Sequence, residues 1–413
     1  MNIFIKEHIR SGLKYLPQYR KTRASINETS CTSLVDFLKK AVANVPYYHS
    51  HCPSTEKDIS LSDFPIIRKD DIQGNEDLFV SKHYFKFFLT PYETGGSTGK
   101  SLSLYYSKSA LIKKNAFYDY ALSLIGDNLN IAMLRGVMPK QGALFEQVKR
   151  NYHIMSSYLL TSETIDEYLN YLRIHKISCL HVYPSTISIM ARLIKNKYGI
   201  ADLPELKGIL SSSEILSLLE KKLIREVFGN IKIVDFYSQN ELACCAISVN
   251  EGMYSFFNSF GHVEFVDTGE RVNDNRICEI VSTGLLNEAM PLIRYATEDY
   301  VEVDKNNNVV SIIGRTSDFV YNKKGESAPC IINTRTVSMK NVTNFQYYQP
   351  CIGTLVFKVI VTDEFSDSDR QNLLDDMNMS FNGLMDCSVE VVVNIERTKR
   401  GKQLRLIQDV KQI

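Results

Sequence analysis

Short apolar runs alternate with longer amphipathic stretches through the middle of the chain. Four runs have the length and apolar content of buried strands: 131–134, 179–183, 208–212 and 231–237. Stretches with a helical period lie beside them, at 108–125, 162–175, 185–197 and 215–228. Short strands that alternate with helices of this length are typical of a parallel α/β sheet, whose ligands gather beyond the carboxyl ends of the strands.

The pattern changes after about residue 253, where strand-like runs follow one another with only turns between them. These runs predict an antiparallel β subdomain and lie at 253–258, 261–267, 277–283, 300–304 and 309–313. Farther on, a strand–helix–strand pattern predicts a small α+β module, at 354–362, 367–382 and 387–395. We therefore expect an α/β protein with a large N-terminal domain, residues 1–316, and a small, mobile C-terminal α+β domain, residues 317–413.

The composition is that of an ordinary globular protein. The chain has 413 residues and a formal net charge of +1, so its charge does not favour a nucleic-acid partner. Its nine cysteines are scattered without a C-x-x-C pair, which indicates reduced thiols. We find no apolar run of the length that predicts a transmembrane helix, and the first residues lack the apolar core of a signal peptide. These features lead us to expect a cytoplasmic protein.

A glycine-rich loop at Thr94–Ser101 is the first candidate for chemistry. Its glycines bring backbone N–H groups close to a ligand, and its hydroxyls and Lys100 add further donors, a combination that suits a polyphosphate. The end of the loop, Gly99-Lys100-Ser101, matches a Walker A motif, but Thr94 stands where that motif needs its first glycine. By itself, the loop is equally well interpreted as a surface turn.

Further polar islands follow the loop along the chain. They are Tyr237–Glu241, Pro291–Asp299, Gly314–Asp318 and Arg397–Arg405. Taken singly, each has a structural interpretation: a carboxylate at a helix N-terminus, a turn, a linker and a solvated basic tail. Their order is more informative than any one of them.

Read together, the islands resemble the signature of the adenylate-forming superfamily of acyl-adenylate synthetases. The order is a phosphate loop, then Y-x-x-x-E, R-Y-x-x-x-D, G-R-x-x-D and G-K-x-x-R. Within the superfamily, the chain resembles the phenylacetate–CoA ligase branch and the CapK-type proteins of capsular polysaccharide clusters. The segments that carry this finer resemblance are Asn44–Tyr48, Phe64–Asp71, Glu279–Thr283, Pro291–Tyr295 and Asn344–Gln349.

The resemblance assigns residues to a nucleotide site. It implies that the β- and γ-phosphates of ATP are held by Thr94, Gly95, Gly96, Ser97, Thr98 and Gly99. The segments that frame the adenine in the family match Ser213, Glu214, Asp235, Phe236 and Tyr237. Asp299 would accept hydrogen bonds from the ribose hydroxyls, assisted by Arg315.

The resemblance also assigns the reacting groups. Glu241 would ligate Mg²⁺, a hard cation that prefers carboxylate oxygen. Lys402 would bridge the substrate carboxylate and the α-phosphate, and Asp318 matches the hinge about which the small domain rotates between half-reactions. Three positions depart from the family pattern, since Lys100 replaces a proline, Asn240 a threonine, and Glu298 the glycine before the ribose aspartate.

These assignments imply an AMP-forming ligase that uses ATP and Mg²⁺. A small-molecule carboxylic acid would be activated as an acyl-adenylate with release of pyrophosphate, and the acyl group would then pass to CoA. Two alternatives stay open: transfer to an amine or hydroxyl acceptor in surface or capsular polysaccharide biosynthesis, and a catalytically silent homologue that binds nucleotide. Lys402 and Glu241 argue for activity, whereas Glu298 adds negative charge beside the nucleotide.

The sequence does not name the acid. We expect the residues of its pocket around 133–143 and 181–188, and an aryl, short aliphatic or amino-acid substrate is compatible with the pattern. We expect no nucleic-acid partner and no transmembrane segment, and we allow for a homodimer.

Overall fold

The computed structural model describes residues 14, 16–27, 34–52, 59–93, 102–272, 274–315, 319–329, 339–381, 383–397 and 403–410. The α-helices of this part of the chain are α1 (Pro17–Ala24), α2 (Leu34–Asn44), α3 (Pro46–His51), α4 (Lys69–Ile72), α5 (Lys108–Ile125), α6 (Ile165–Ile174), α7 (Pro184–Tyr198), α8 (Leu218–Phe228) and α9 (Asp367–Ser380). The strands up to residue 249 are β1 (Thr90–Glu93), β2 (Ser103–Tyr106), β3 (Ile131–Leu134), β4 (Phe145–Lys149), β5 (Tyr152–Met155), β6 (Cys179–Val182), β7 (Gly208–Ser212), β8 (Lys232–Ser238) and β9 (Cys245–Val249). The later strands are β10 (Ser255–Phe256), β11 (Gly261–Val272), β12 (Asn275–Gly284), β13 (Tyr295–Val303), β14 (Val309–Arg315), β15 (Phe319–Tyr321), β16 (Ser327–Pro329), β17 (Val342–Gln349), β18 (Thr354–Val361), β19 (Asp386–Val391) and β20 (Leu406–Gln408).

The chain divides into two compact units, each made of two separate stretches of sequence. The first unit contains Met1–Leu124 and Phe236–Ile312, and the second contains Ile125–Asp235 and Ile313–Ile413.

A mostly parallel sheet forms one part of the second unit. Within this unit the strand order is β4-β5-β3-β6-β7-β8. β3 pairs in parallel with β5 and β6, β6 pairs in parallel with β7, and β4 runs antiparallel at the edge. β6 and β7 are buried along their whole length, as apolar strands covered on both faces are. Their side chains share one core with α6, α7 and α8 that includes Leu180, Met190 and Ile224.

A second sheet in the same unit has the strand order β19-β18-β17-β20. β17 and β18 are antiparallel neighbours, while β19 and β20 add to them in parallel. Helix α9 begins with a reciprocal pair of hydrogen bonds between Ser366 and Asp369, which satisfies two backbone N–H groups at its start. Leu373 and Met377 of α9 pack with Phe357 of β18. This is the α+β module that the sequence predicts.

The first unit is built on the antiparallel sheet β11-β12-β13-β14. Its core lies between this sheet and the segment after residue 243, and includes Cys244, Ile280 and Val301. β11 and β12 form a long hairpin in which Gly261 stands directly opposite Gly284.

The segments that carry the branch-specific resemblance meet in this unit. Ile67 forms a parallel bridge with Tyr295, through hydrogen bonds to the two residues that flank Tyr295. Arg68 makes a two-pronged ion pair with Glu279, with N–O distances of 2.8 and 2.9 Å. The buried Tyr48 hydroxyl donates to the Pro291 carbonyl at 3.1 Å. Much of this resemblance therefore reflects a shared scaffold and not a reacting group.

The structure confirms the predicted fold class, with parallel α/β, antiparallel β and C-terminal α+β parts. The predicted boundary between residues 316 and 317 stays a prediction, since residues 316–318 lie outside the described ones. In the part of the chain that the structure describes, no helix is long and apolar enough to cross a bilayer.

Candidate active site

Some predicted site residues lie outside the described part of the chain, namely Thr94–Gly99, Asp318 and Lys402. The glycine loop joins β1 to β2, which pair antiparallel with Glu93 opposite Ser103. Arg315 is the last residue of β14. The structure does place the other predicted residues, in two groups that belong to different units.

Asp299 and Tyr237 meet in the first unit. The Tyr237 hydroxyl donates to Asp299 Oδ2 at 2.7 Å, although the two islands are far apart in sequence. The Gln239 side-chain amide donates to the same oxygen at 3.1 Å and also to the Tyr237 hydroxyl. Asp299 is buried on β13. These two hydrogen bonds hold the Asp299 side chain in a fixed position.

Glu241 lies close to Tyr106, on the strand that follows the glycine loop. The Tyr106 hydroxyl donates to the Asn240 carbonyl, and burial together with the charge of Glu241 raises the pKa of Tyr106 well above its usual value. Burial, with the charges of Asp299 and Glu241, likewise raises the pKa of the Cys244 thiol. The two predicted carboxylates therefore lie near one buried thiol, so two separate sequence islands converge at this place.

Two glycines hold the backbone that follows Glu241. A Cβ atom at Gly284 would lie 2.2 Å from the Leu242 carbonyl oxygen, and one at Gly261 would lie 2.1 Å from the Ala243 carbonyl oxygen. Real Cβ atoms do not approach an oxygen so closely, so both positions require glycine. The glycine pair therefore sets where the backbone after Glu241 lies.

Glu298 adopts a left-handed backbone conformation, with φ of +59°. This conformation is unfavourable for a residue with a Cβ atom and easy for glycine, which stands here in the family pattern. The chain therefore keeps a glycine-like turn before Asp299 although the residue has changed. Arg294, from the same island, is bound by Glu264 at 3.0 Å and by the Phe64 carbonyl at 2.9 Å, so it has a structural role.

Ser213 stands at the end of β7 in the second unit, with φ of +73°. Its hydroxyl accepts a hydrogen bond from Arg135 Nη2 at 2.7 Å, and Arg135 Nη1 donates to His181 Nε2 at 2.7 Å. Asp235 and Phe236, which belong to the second of the two adenine segments, are buried on β8. Asp235 is part of the second unit and Phe236 part of the first. The sequence identified Ser213 but missed Arg135, which lies within the stretch expected to line the acid pocket.

The segment that contains Lys402 is anchored on both sides. Gln403 donates its backbone N–H to Glu214 Oε1 at 3.0 Å, and the other Glu214 oxygen accepts from the Ser185 N–H at 2.9 Å. Arg397 and Gln403 also form an antiparallel bridge with each other. The residue next to Lys402 is thus bound to a segment predicted to frame the adenine.

Gln346 on β17 joins the two ends of the same segment. Its side-chain amide donates to the Leu404 carbonyl at 2.6 Å and to the Glu396 carbonyl at 3.2 Å. The residue is only 1% exposed. A buried glutamine needs partners for its polar atoms, and here those partners are the backbone on either side of residues 398–402. In the sequence, Gln346 lies in a segment that carries the resemblance to the CapK branch, but no motif indicates its role.

A buried ion pair fixes Arg405, the last residue of the G-K-x-x-R island. Its Nη2 lies 2.6 Å from Glu220 Oε1 and 3.0 Å from the Ile215 carbonyl. Although burial opposes ionisation, Arg405 and hydrogen bonds from Ser217 hold the pKa of Glu220 below its usual value. Burial lowers the pKa of the neighbouring Arg192 to about 10, against the charge of Glu220. Glu220 therefore balances two buried arginines, a role that no sequence motif indicated.

The residues near Glu241 fit the way proteins bind Mg²⁺ beside a nucleotide. Among the described residues, no group of three His, Cys, Asp or Glu side chains could hold a metal ion. Nucleotide-bound Mg²⁺ usually takes only one or two carboxylates, and phosphates and water complete its shell. A single carboxylate beside the strand that follows the glycine loop is consistent with such a site.

No family model matches the chain. Its sequence is 25% identical over 376 residues to Protein CapK of Staphylococcus aureus, which covers 85% of this chain and 81% of CapK. Its structure is similar to that of 2-hydroxyisobutyryl-CoA ligase in the postadenylation state, in complex with R3-HIB-AMP. That match has a TM-score of 0.68 and 16% identity, and covers 91% of this chain and 88% of the ligase.

The chain has the adenylate-forming ligase fold and is a relative of CapK. This confirms the resemblance to the superfamily and to its CapK branch. The structure of this chain is also similar to that of the amide bond synthetase McbA from Marinactinospora thermotolerans, with a TM-score of 0.50 and 14% identity over 77% of this chain and 68% of McbA. At these identities the solved structures establish the fold, while the roles of individual residues in this chain stay predictions.

Proposed function

We propose that this chain activates a carboxylic acid with ATP as an acyl-adenylate and then transfers the acyl group to CoA. The observation that carries the proposal is the hydrogen bond from the Gln403 N–H to Glu214. It joins the segment beside Lys402, the proposed catalytic lysine, to a segment proposed to frame the adenine. In this proposal Lys402, the chain neighbour of Gln403, serves both the acid and the α-phosphate.

In the first step, a carboxylate oxygen of the acid attacks the α-phosphorus of ATP. The bond between that phosphorus and the oxygen of the leaving pyrophosphate breaks, and pyrophosphate departs with the electron pair. Because both reactants are anions, the positive charge of Lys402 lowers the barrier to their approach. Mg²⁺, when bound with ATP at Glu241, supplies further positive charge at the phosphates.

The nucleotide is held through the first unit in this proposal. Asp299 accepts from the ribose hydroxyls while Tyr237 and Gln239 keep its carboxylate in place. The Tyr237 ring lies against the adenine. In the second step, the thiolate of CoA attacks the acyl carbon and a C–S bond forms. The bond between that carbon and the phosphate oxygen breaks, and AMP leaves with the electron pair.

An amine or hydroxyl acceptor is the second candidate. It is favoured by the sequence similarity to CapK and by the shared fold with an amide bond synthetase. A silent nucleotide-binding homologue is less well supported. Its main sequence argument is the charge of Glu298, and that residue leaves the glycine-like turn before Asp299 intact.

Pyrophosphate exchange tests the proposal. The purified full chain is incubated with ATP, Mg²⁺, labelled pyrophosphate and each member of a panel of acids. Incorporation of label into ATP with at least one acid supports adenylation, and AMP release that depends on CoA supports CoA as the acceptor. ATP binding without exchange for any acid would instead support the silent homologue.

Replacement of Lys402 tests the assigned chemistry. Lys402→Ala should lower the exchange rate by at least about 100-fold, because a charge aimed at the transition state is lost. Lys399→Ala is the matched control, since it removes a charge from the same basic stretch and should leave exchange nearly unchanged. Exchange at the wild-type rate in Lys402→Ala would contradict the assignment.

A further inference from the structure

Three polar side chains, one of them an arginine, stand at or near the ends of parallel strands of the second unit. Arg135 directly follows β3, His181 lies near the end of β6, and Ser213 directly follows β7. These strands are neighbours, because β6 pairs in parallel with both β3 and β7. The carboxyl ends of such strands are where open α/β sheets bind their ligands. We call Arg135, His181 and Ser213 the Arg135 cluster.

The hydrogen-bond partners of this guanidinium are an imidazole and a hydroxyl. Arg135 donates to His181 Nε2 and to the Ser213 hydroxyl, each at 2.7 Å, and stacks over the Tyr183 ring at 4.7 Å. His181 Nε2 also lies 3.3 Å from the Ser212 hydroxyl oxygen. Among the described residues, no carboxylate forms an ion pair with Arg135, and its buried Nε–H has no acceptor.

Two other arginines of the same unit, Arg192 and Arg405, also have a buried Nε–H without an acceptor, but both lie close to a carboxylate. Arg405 is neutralised by Glu220 at 2.6 Å, and Arg192 shares the charge of that carboxylate. Arg135 instead has its fork oriented by a histidine and a serine, and the hydroxyl of the exposed Ser213 makes that end accessible. An oriented guanidinium without a counter-charge is suited to bind a carboxylate.

Ser213 of the cluster is also the chain neighbour of a residue that binds beside Lys402. Ser213, which binds Arg135, is followed in the chain by Glu214, and Glu214 binds the N–H of Gln403. The guanidinium is thus connected, through adjacent residues, to the segment that contains Lys402.

Resting on the proposed function, we infer that the Arg135 cluster binds a second carboxylate on the acid substrate, so that the substrate is a short dicarboxylic acid. Arg135 is poorly suited to the reacting carboxylate itself. A guanidinium on that group would stabilise the attacking anion before the reaction, and binding that is equal in the ground and transition states does not accelerate the chemistry. The same contact with a second carboxylate, which does not react, makes the enzyme selective for acids that carry one.

The test compares acids of matched length in pyrophosphate exchange: malonate with propionate, succinate with butyrate, and glutarate with valerate. We expect kcat/KM for at least one diacid to exceed that of its matched monoacid by about 100-fold, and Arg135→Gln to remove most of this preference by lowering the diacid value by about 10- to 100-fold. The monoacid values should fall far less than the diacid values in Arg135→Gln, and Arg135→Lys should restore part of the diacid activity. Arg225→Gln, an exposed arginine of the same unit that contacts Asn230, is the control and should leave all values unchanged.

Three results would overturn the inference. One is a wild-type chain that prefers the monoacids or uses both classes equally. Another is an Arg135→Gln variant that loses activity with both classes alike, which would place Arg135 on the reacting carboxylate. If no acid supports exchange, the proposed function fails. Equilibrium dialysis with radiolabelled diacids then measures directly whether the Arg135 cluster binds a diacid. Binding that Arg135→Gln abolishes would support the site, and no binding of any diacid to the wild-type chain would overturn it.

Discussion

The two groups of predicted site residues are held in place by different means. In the first unit, the Asp299 and Glu241 group depends on backbone shape: two glycines in contact with the 242–243 backbone, and a left-handed turn at Glu298. In the second unit, the segment beside Lys402 depends on polar side chains, with Glu214, Glu220 and Gln346 binding it. A site held by close backbone contacts tolerates few substitutions at the contacting positions but does not depend on charge. A site held by buried charges is destabilised when one partner is removed, because the other charge stays buried and unpaired.

The largest expected effect comes from breaking the buried charges. Glu220→Ala should lower the free energy of unfolding by about 3–5 kcal/mol, because Arg405 and Arg192 would stay buried without a counter-charge. Urea unfolding measures the change. Glu220→Gln keeps the shape and the hydrogen bonds to Ser217, so it isolates the loss of charge if the alanine variant does not fold.

An exposed ion pair between the same helices supplies the control. Lys195 on α7 and Glu226 on α8 lie 2.7 Å apart, with side chains 51% and 58% exposed. Glu226→Ala should cost less than about 1 kcal/mol, since water screens the pair. Equal losses for Glu220→Ala and Glu226→Ala would refute the view that buried charge holds this region.

Breaking the backbone shape of the first unit should have an intermediate effect. Gly284→Ala places a Cβ atom 2.2 Å from the Leu242 carbonyl, so the backbone must shift at a cost of about 1–3 kcal/mol. The shift should move Glu241 and raise the Mg²⁺ concentration that half-saturates pyrophosphate exchange. Unfolding and a Mg²⁺ titration measure the two consequences.

Gly126→Ala controls for the general effect of adding a methyl group. There, the new Cβ atom would meet its nearest neighbour at 3.5 Å, an ordinary contact. An unchanged Mg²⁺ titration in a folded Gly284→Ala variant would show that the glycine pair does not position Glu241.

The smallest expected effect is a gain. Glu298→Gly relieves the left-handed backbone and should raise the free energy of unfolding by up to about 1 kcal/mol. It also removes a negative charge from the proposed nucleotide site, so the Kd for ATP should fall. Glu298→Ala removes the charge but keeps the Cβ atom, and should improve ATP binding without the gain in stability. Tighter binding in neither variant would show that Glu298 does not face the nucleotide.

Regular apolar elements could be predicted from the sequence, and elements with polar buried faces could not. The strand at 131–134 and the helix at 108–125 have the predicted bounds, because their apolar spacing is unambiguous. β17 was not predicted, since Gln346 and Gln349 interrupt its pattern with polar residues that are nonetheless buried. Their amides bind backbone groups of neighbouring segments, and no local pattern reveals those partners.

In the candidate site, too, some residues could be predicted from sequence motifs and others could not. Tyr237 and Asp299 could be chosen from motifs, and the structure brings them within 2.7 Å. Gln239 is a partner of both but belongs to no motif position. Glu220 and Arg405 are 185 residues apart, and only the packing of the second unit shows that they form a pair. Contacts of this kind are tertiary, so spacing along one chain does not contain them.

The glycine pair also constrains the order in which the chain can fold. The β11–β12 hairpin is local in sequence, with Val272 opposite Asn275 at its turn, and can close by itself. The 242–243 backbone has a surface to rest on only after Gly261 and Gly284 stand side by side. Any intermediate that lacks this hairpin therefore lacks a fixed position for Glu241, even if the parallel sheet of the second unit is complete. The carboxylate proposed to bind the metal therefore takes its final place only after this hairpin has formed.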